Sequence, residues 1–71
     1  MIARRAAQHD PMVRIICSEF REMPGMHLTR AQFQRLWDLT EADSERLLDY
    51  LLDSGFLAES AHGQFGRPAE V

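Results

Sequence analysis

Two helix-start signals and one helix-stop signal in the middle of the chain constrain its fold more than any other feature. Thr29 is followed three residues later by Gln32. In such a capping box the hydroxyl accepts a hydrogen bond from an unpaired helix N–H, while the amide side chain reaches back to the cap. Thr40 marks a second start, and Gly55 marks its end because glycine adopts the left-handed cap conformation without steric cost. The sequence therefore predicts two consecutive helices.

A further helix precedes this pair, and a β-hairpin follows it. Asp10 suits an N-cap, and Pro11 suits the first helical position, where the missing N–H costs nothing. Pro24 ends this helix, because the residue before proline is pushed out of the helical region. Short apolar segments on either side of a turn at 61–63 predict the hairpin, with which a short strand at 26–28 would pair. The predicted elements are helices over Pro11–Glu22, 30–37 and 41–54 and a hairpin over 56–67.

Apolar residues at helical spacing define the predicted core. Phe33, Leu36 and Trp37 recur on one face of the second helix, and a group of leucines lies on one face of the third. We expect Gly55 to be left-handed and Phe56 to fold back on the third helix, as in a Schellman cap. The predicted core residues are Val13, Ile16, Phe20, Leu28, Phe33, Leu36, Trp37, Leu47, Leu48, Leu51, Phe56, Leu57 and Phe65.

The length of the chain limits it to one small domain. A chain of 71 residues buries only about 60% of its unfolded surface on folding, which leaves little room for an enclosed active site. We divide it into a flexible basic arm (1–9), a domain (10–67) and a disordered tail (68–71). No apolar run approaches the roughly 20 residues that span a bilayer. No signal-peptide core follows Arg4 and Arg5, so we expect a cytoplasmic protein.

No constellation of residues in the sequence predicts catalysis or metal binding. The three histidines stand in separate segments without metal-ligand spacing. The glycines form no phosphate-binding loop, and no serine has a histidine and an acid at a suggestive spacing. The single cysteine, Cys17, lies beside the apolar face of the first helix, where an inert core thiol is expected. We therefore expect neither an enzyme nor a cofactor.

The segments 28–40 and 47–57 resemble the winged helix-turn-helix superfamily, and in particular small bacterial winged-helix regulators. The resemblance rests on the capped helix pair and on the turn Gly55-Phe56-Leu57, which leads from the third helix into the wing. It implies a mainly α fold of three helices with a two- or three-stranded wing. In DNA-binding members of the superfamily the third helix enters the major groove, and the wing contacts the backbone or the minor groove.

The distribution of charge departs from that of a DNA-binding member. Residues 1–35 hold six arginines and three carboxylates, whereas 36–71 hold two arginines and eight carboxylates. The outward face of the third helix would carry Arg46 among several carboxylates, which repel a polyanion. Arg30 lies near a helix N-terminus, a position that favours phosphate. The candidate DNA-binding residues are Arg4, Arg5, Arg30, Arg35, Arg46 and Arg67.

Two functions are compatible with these observations. The resemblance favours a small DNA-binding transcriptional regulator, whose partner is double-stranded DNA. The alternative is a protein–protein interaction module in which the acidic face of the third helix docks on a basic partner. Tyrosine and arginine are enriched in binding hot spots. The candidate protein-binding residues are therefore Arg46, Asp49, Tyr50 and Asp53. Neither function involves a membrane, and a homodimer is compatible with both.

Overall fold

The structure of the protein, a computed structural model, describes residues 10–68. Within this range the chain forms three helices and a three-stranded antiparallel sheet. The predicted basic arm with Arg4 and Arg5, and residues 69–71 of the predicted tail, lie outside the described residues. The elements in chain order are α1 (Pro11–Glu22), β1 (His27–Thr29), α2 (Arg30–Leu36), α3 (Glu41–Asp53), β2 (Ala58–Glu59) and β3 (Gln64–Gly66).

The small sheet holds together segments from both halves of the sequence. Its strand order is β1-β3-β2, so β3 is the central strand and pairs antiparallel with both neighbours. Leu28 of β1 and Glu59 of β2 lie opposite Phe65 on its two sides. The strand predicted at 26–28 is present one residue later. The prediction of a mainly helical fold with a small antiparallel sheet is therefore confirmed.

All three predicted N-caps are present, and they explain where the helices begin. The Asp10 carboxylate accepts a hydrogen bond of 2.9 Å from a backbone N–H of the first turn of α1. At the start of α2, Thr29 Oγ1 accepts from the Gln32 N–H at 3.2 Å, and Gln32 Oε1 accepts from the Thr29 N–H at 2.9 Å. The Thr40 hydroxyl accepts from the Asp43 N–H at 3.0 Å at the start of α3. Side chains thus satisfy backbone donors that each helix leaves unpaired.

A Schellman motif ends α2, and its left-handed residue is Asp38. The φ angle of Asp38 is 52°. Its N–H donates to the Arg35 carbonyl at 3.2 Å, and the Leu39 N–H donates to the Gln34 carbonyl at 2.9 Å. These are the two hydrogen bonds that define the motif. Aspartate therefore occupies a position that glycine takes more easily.

The end of α3 follows the prediction at Gly55 and departs from it one residue later. Gly55 is left-handed, with φ of 83°, and its N–H donates to the Leu52 carbonyl at 3.1 Å. The second hydrogen bond of the helix end closes a wider turn. It is donated to the Leu51 carbonyl by the Leu57 N–H, at 3.1 Å, and not by the N–H of Phe56. Leu57 takes the place expected for Phe56 and is almost fully buried, at 2% exposed. The ring of Phe56 stays at the edge of the core.

The core lies between the helices and the inner face of the sheet. Four predicted residues, Val13, Leu28, Trp37 and Phe56, are half-buried and pack against its edge. The Trp37 ring lies 5.1 Å from that of Phe33, centroid to centroid. The fully buried apolar residues are Ile16, Phe20, Phe33, Leu47, Leu48, Leu51, Leu57 and Phe65, and all eight belong to the predicted set.

The prediction that Leu36 belongs to the core is wrong, since 54% of the residue is exposed. Successive residues of a helix turn by about 100°, so Leu36 lies about 60° to one side of the buried Phe33. Trp37 lies about 40° to the other side and covers the aromatic part of the core. The buried stripe of α2 therefore runs along Phe33 and Trp37, and Leu36 falls outside it.

Candidate interaction surfaces

The outward side of α3 is acidic. The helix carries five carboxylates and one arginine. Two of the carboxylates lie in its first turn, where they interact favourably with the positive end of the helix dipole. We call the exposed carboxylates Glu41, Glu45, Asp49 and Asp53 the acidic face of α3.

Arg46, the one cation on α3, is committed to contacts within the domain. Its Nη2 donates to Asp10 Oδ2 and to Asp43 Oδ1, both at 3.1 Å. Hydrogen bonds to these two carboxylates, first to Asp43 and then to Asp10, raise the pKa of Arg46. Its side chain is only 26% exposed. The structure therefore places Arg46 as a tie between α3 and the start of α1, although both sequence interpretations counted it as a contact residue.

Tyr50 lies at the edge of the core and presents only part of its side chain to solvent. The residue is half-buried and packs against the hydrophobic core. Arg46, one turn before it, faces Asp10 and Asp43. The predicted pair of Arg46 and Tyr50 is thus not presented together to solvent. Of the four residues predicted for the protein-binding surface, Asp49 and Asp53 remain exposed.

Arg30 lies at the N-terminus of α2, between the acidic face and the sheet. Its Nη1 is 3.8 Å from Glu45 Oε2, in an ion pair whose two side chains are about half exposed. Its guanidinium also lies 5.2 Å from the centroid of the Phe65 ring. Both contacts hold the charge of Arg30 close to the domain, and the ion pair neutralises part of it.

Arg67 connects the end of β3 to the turn after α3. Its guanidinium lies 4.0 Å from the centroid of the Phe56 ring, and it donates a hydrogen bond to the Phe56 carbonyl. Arg21 of α1 approaches the same ring at 5.4 Å. These cation–π contacts are of the kind that stabilise partly exposed aromatic rings. Arg67 therefore has a structural partner at the base of the hairpin.

Cys17 lies near the same two arginines. Burial raises the pKa of the Cys17 thiol, and the positive charges of Arg21 and Arg67 oppose this shift. A raised pKa leaves less of the reactive thiolate at neutral pH. The thiol is half-buried at the edge of the core, not inside it as expected from the sequence.

The outer surface of α2 combines an exposed cation with an exposed apolar side chain. Arg35 is exposed and makes no ion pair with any residue of 10–68. It borders two shallow grooves, of about 410 Å³ and about 330 Å³. The first also contains Leu28, Gln32 and Leu36, and the second contains Ala31, Gln34, Asp38 and Leu39. We call Leu28, Gln32, Arg35, Leu36 and Asp38 the α2 surface.

The candidate residues thus fall into separate places on the domain. Four of the candidate DNA-binding arginines lie in the described range. Three of them have side-chain partners within the domain: Arg30, Arg46 and Arg67. Arg35 has no such partner among residues 10–68. Leu36 is a surface residue that its helical spacing did not predict. The available signal was its position on the side of Phe33 away from Trp37, together with its place as the last residue of α2.

Neither a metal site nor a membrane helix is present in the described part of the chain. No three histidine, cysteine, aspartate or glutamate side chains of residues 10–68 are grouped so that they could hold a metal ion. Each helix in the same range is too short or too polar to cross a bilayer. No known protein family matches the chain, and no curated protein or solved structure compared with it matches either.

Proposed function

We propose that the chain is a winged-helix module that binds a basic protein partner through the acidic face of α3. The order α1-β1-α2-α3-β2-β3 supports the winged-helix assignment. It joins α2 to α3 by a tight turn at Asp38 and continues into a hairpin that pairs with β1. A fold of this kind presents surfaces for binding, and the chemistry of those surfaces decides the partner.

The observation that carries the proposal is the engagement of Arg46. Its ion pairs with Asp10 and Asp43 remove from the outer side of α3 the one positive charge that could meet a phosphate. What remains outward is the acidic face, whose four carboxylates are exposed and of which Glu45 is paired with Arg30. DNA carries one negative charge per roughly 1.7 Å of its axis and would be repelled by such a helix. A basic protein surface would be attracted, and its association would be faster.

The experiment compares two probes on the same isotopically labelled chain. One probe is a lysine-rich helical peptide, and the other is a random-sequence DNA duplex of similar length. Binding is followed by fluorescence anisotropy at about 50 mM and about 200 mM salt, a range over which phosphate contacts lose much of their affinity. We expect the peptide to bind. In NMR spectra of the isotopically labelled chain, it should shift the backbone amide resonances of Glu45, Asp49 and Asp53. We expect no DNA binding at the higher salt concentration.

A charge-removing variant makes the test specific to this face. Asp49→Asn combined with Asp53→Asn should weaken peptide binding, mainly through slower association. The matched control combines Glu22→Gln with Glu59→Gln, which removes the same charge from exposed positions elsewhere. We expect the control to bind the peptide nearly as well as the unmodified chain. Equal losses in both variants would show that only net charge matters, and the assignment to α3 would be wrong.

Double-stranded DNA is a second candidate partner, and the exposure of Arg35 favours it. Arg35 lies one to two turns after Arg30, whose half-exposed guanidinium would exchange Glu45 for a phosphate. If DNA binds there, removing both arginines should weaken binding to all sequences. The slope of log affinity against log salt should fall by about two, because two phosphate contacts are lost. The variant with Asp49→Asn and Asp53→Asn should then bind DNA more tightly, which is the opposite of its effect on the peptide.

A further inference from the structure

We propose that the chain forms a two-fold symmetric homodimer through the α2 surface. Leu36 would lie at the centre of the contact, and Arg35 of each copy would pair with Asp38 of the other. This inference does not rest on the proposed function, because it uses none of the residues of the acidic face of α3. Three features of the α2 surface lead to it.

The first feature is the exposure of Leu36. At 54% it is the most exposed of the large hydrophobic residues in the described range, ahead of Ile15 and Met23 at 48% each. It borders the groove of about 410 Å³ that also contains the half-buried Leu28. The exposed Leu36 side chain and the groove beside it together offer a second copy an apolar contact area. The central part of a protein interface is typically of this apolar kind.

The second feature is a pair of opposite charges that do not meet within one copy. Arg35 and Asp38 are both exposed and border the same groove of about 330 Å³. Neither forms an ion pair, with the other or with any residue among 10–68. The two charges flank Leu36 in the sequence. The α2 surface thus carries one positive and one negative charge, each available to an outside partner.

The third feature is the way in which a two-fold axis would combine these groups. In a two-fold contact the same surface faces itself, so it must be complementary to itself. A two-fold axis that passes close to Leu36, at the end of α2, would bring Arg35 of each copy towards Asp38 of the other, because these two residues flank Leu36 and border one groove. Both Arg35–Asp38 pairs would then form around a contact between the two Leu36 side chains. The acidic face of α3 lacks this property, because a copy of it would meet only like charges.

Sedimentation equilibrium of the chain alone, without DNA or peptide, tests the first feature. We expect reversible dimerisation as the protein concentration rises from micromolar to millimolar. Leu36→Ser should raise the dimer dissociation constant at least about tenfold, since central apolar contacts dominate interface energies. The control is Ile15→Ser, which changes a similarly exposed residue on α1. It should leave the dissociation constant unchanged.

A charge exchange between two chains tests the pairing itself. In Arg35→Glu alone two carboxylates would face each other at each contact, and in Asp38→Lys alone two cations would. Each variant should therefore dimerise at least about tenfold more weakly than the unmodified chain. In an equimolar mixture of the two, every contact is complementary again. The mixture should form a heterodimer about as well as the unmodified chain forms its homodimer.

Asp38 has a left-handed backbone, so the folding of its variants must be checked by circular dichroism. If Asp38→Lys unfolds, Asp38→Asn replaces it, because asparagine tolerates the same conformation. That variant should weaken the dimer by loss of the charge alone. A chain that stays monomeric at millimolar concentration overturns the proposal. A dimer that Leu36→Ser leaves intact, or a mixture that fails to recover dimerisation, also overturns it, since the contact would then lie elsewhere.

Discussion

The guanidinium of Arg46 lies 3.1 Å from the carboxylate of Asp10, and this contact joins the middle of α3 to the N-cap of α1. Asp10 therefore has two structural roles, one for each carboxylate oxygen. One oxygen accepts the Met12 N–H at 2.9 Å and starts α1, and the other holds Arg46. The two residues are 36 positions apart in the sequence. The capping residue of the first helix thus also fixes the position of the third.

A double-mutant cycle should detect this coupling. Asp10→Asn keeps a capping oxygen but removes the charge, and Arg46→Gln removes the cation. We expect the two changes to be non-additive by about 1 kcal/mol in the free energy of unfolding, because the pair is only partly shielded from solvent. Urea unfolding measures each variant. Asp10→Asn combined with Arg21→Gln serves as the control and should be additive, and non-additivity there would remove the basis for the assignment.

The same carboxylate should make stability depend on pH in the acidic range. The Met12 N–H, followed by Arg46, holds the pKa of Asp10 below its ordinary value of 3.8. A lowered folded-state pKa means that the stabilisation is fully present above 3.8 and is lost as the pH falls through the folded-state value. Urea unfolding between about pH 5 and about pH 2 should show a loss of stability that is smaller in Asp10→Asn. An identical pH dependence in both proteins would contradict the role of Asp10.

The sequence predicted the features of this fold that depend on neighbouring residues. The capping box at Thr29 and Gln32 and the caps at Asp10 and Thr40 are bonds between residues two or three positions apart. Gly55 was likewise predictable, because a left-handed helix end favours glycine whatever surrounds it. Such features require no knowledge of how the elements pack.

The features that the sequence did not predict depend on packing between distant segments. Helical spacing alone placed Leu36 in the core, whereas the packing of Phe33 with Trp37 decides that Leu36 lies outside it. Arg46 looked like a surface residue because its partner Asp10 belongs to another helix. The Schellman motif at Asp38 was missed for a different reason, since aspartate is a less common residue than glycine at that position. Of the residues predicted for the protein-binding surface, Asp49 and Asp53 therefore remain in the acidic face, and the α2 surface is a candidate that the sequence did not indicate.

Gly55→Ala should destabilise the domain by about 1 kcal/mol, the cost of forcing a Cβ into the left-handed region. The φ angle of 83° requires this conformation. An added Cβ would meet no atom within 4 Å, so no steric clash contributes to the loss. Thermal or urea unfolding measures the effect. Gly25→Ala, where a Cβ also meets nothing within 4 Å, should be close to neutral, and an equal loss there would show that backbone strain is not the cause.

Asp38→Gly should have the opposite sign and stabilise the domain by about 0.5 kcal/mol. Glycine removes the strain of a Cβ at a φ of 52°, and this gain exceeds the greater entropy that glycine adds to the unfolded chain. The two hydrogen bonds of the Schellman motif are made by the backbone and remain. The unfolding free energy is best measured at micromolar concentration, at which dimerisation does not contribute. Asp38→Ala should be destabilising, and a stabilising alanine would show that the position is not left-handed.

Gly66→Ala should be the most damaging of the glycine substitutions, with a loss of about 2 kcal/mol, in the range of overpacked sites. A Cβ on Gly66 would lie 2.6 Å from Cδ2 of His27 and 2.8 Å from the carbonyl oxygen of Met26. The ring of His27 could turn aside, but the carbonyl belongs to the residue just before β1, whose His27 pairs with Gly66. Relieving that contact would shift β1 away from β3. Adding His27→Ala should therefore restore only part of the lost stability, which urea unfolding of the single and double variants would show. Full restoration would mean that the Met26 carbonyl moves freely and that the edge of the sheet is not fixed by Gly66.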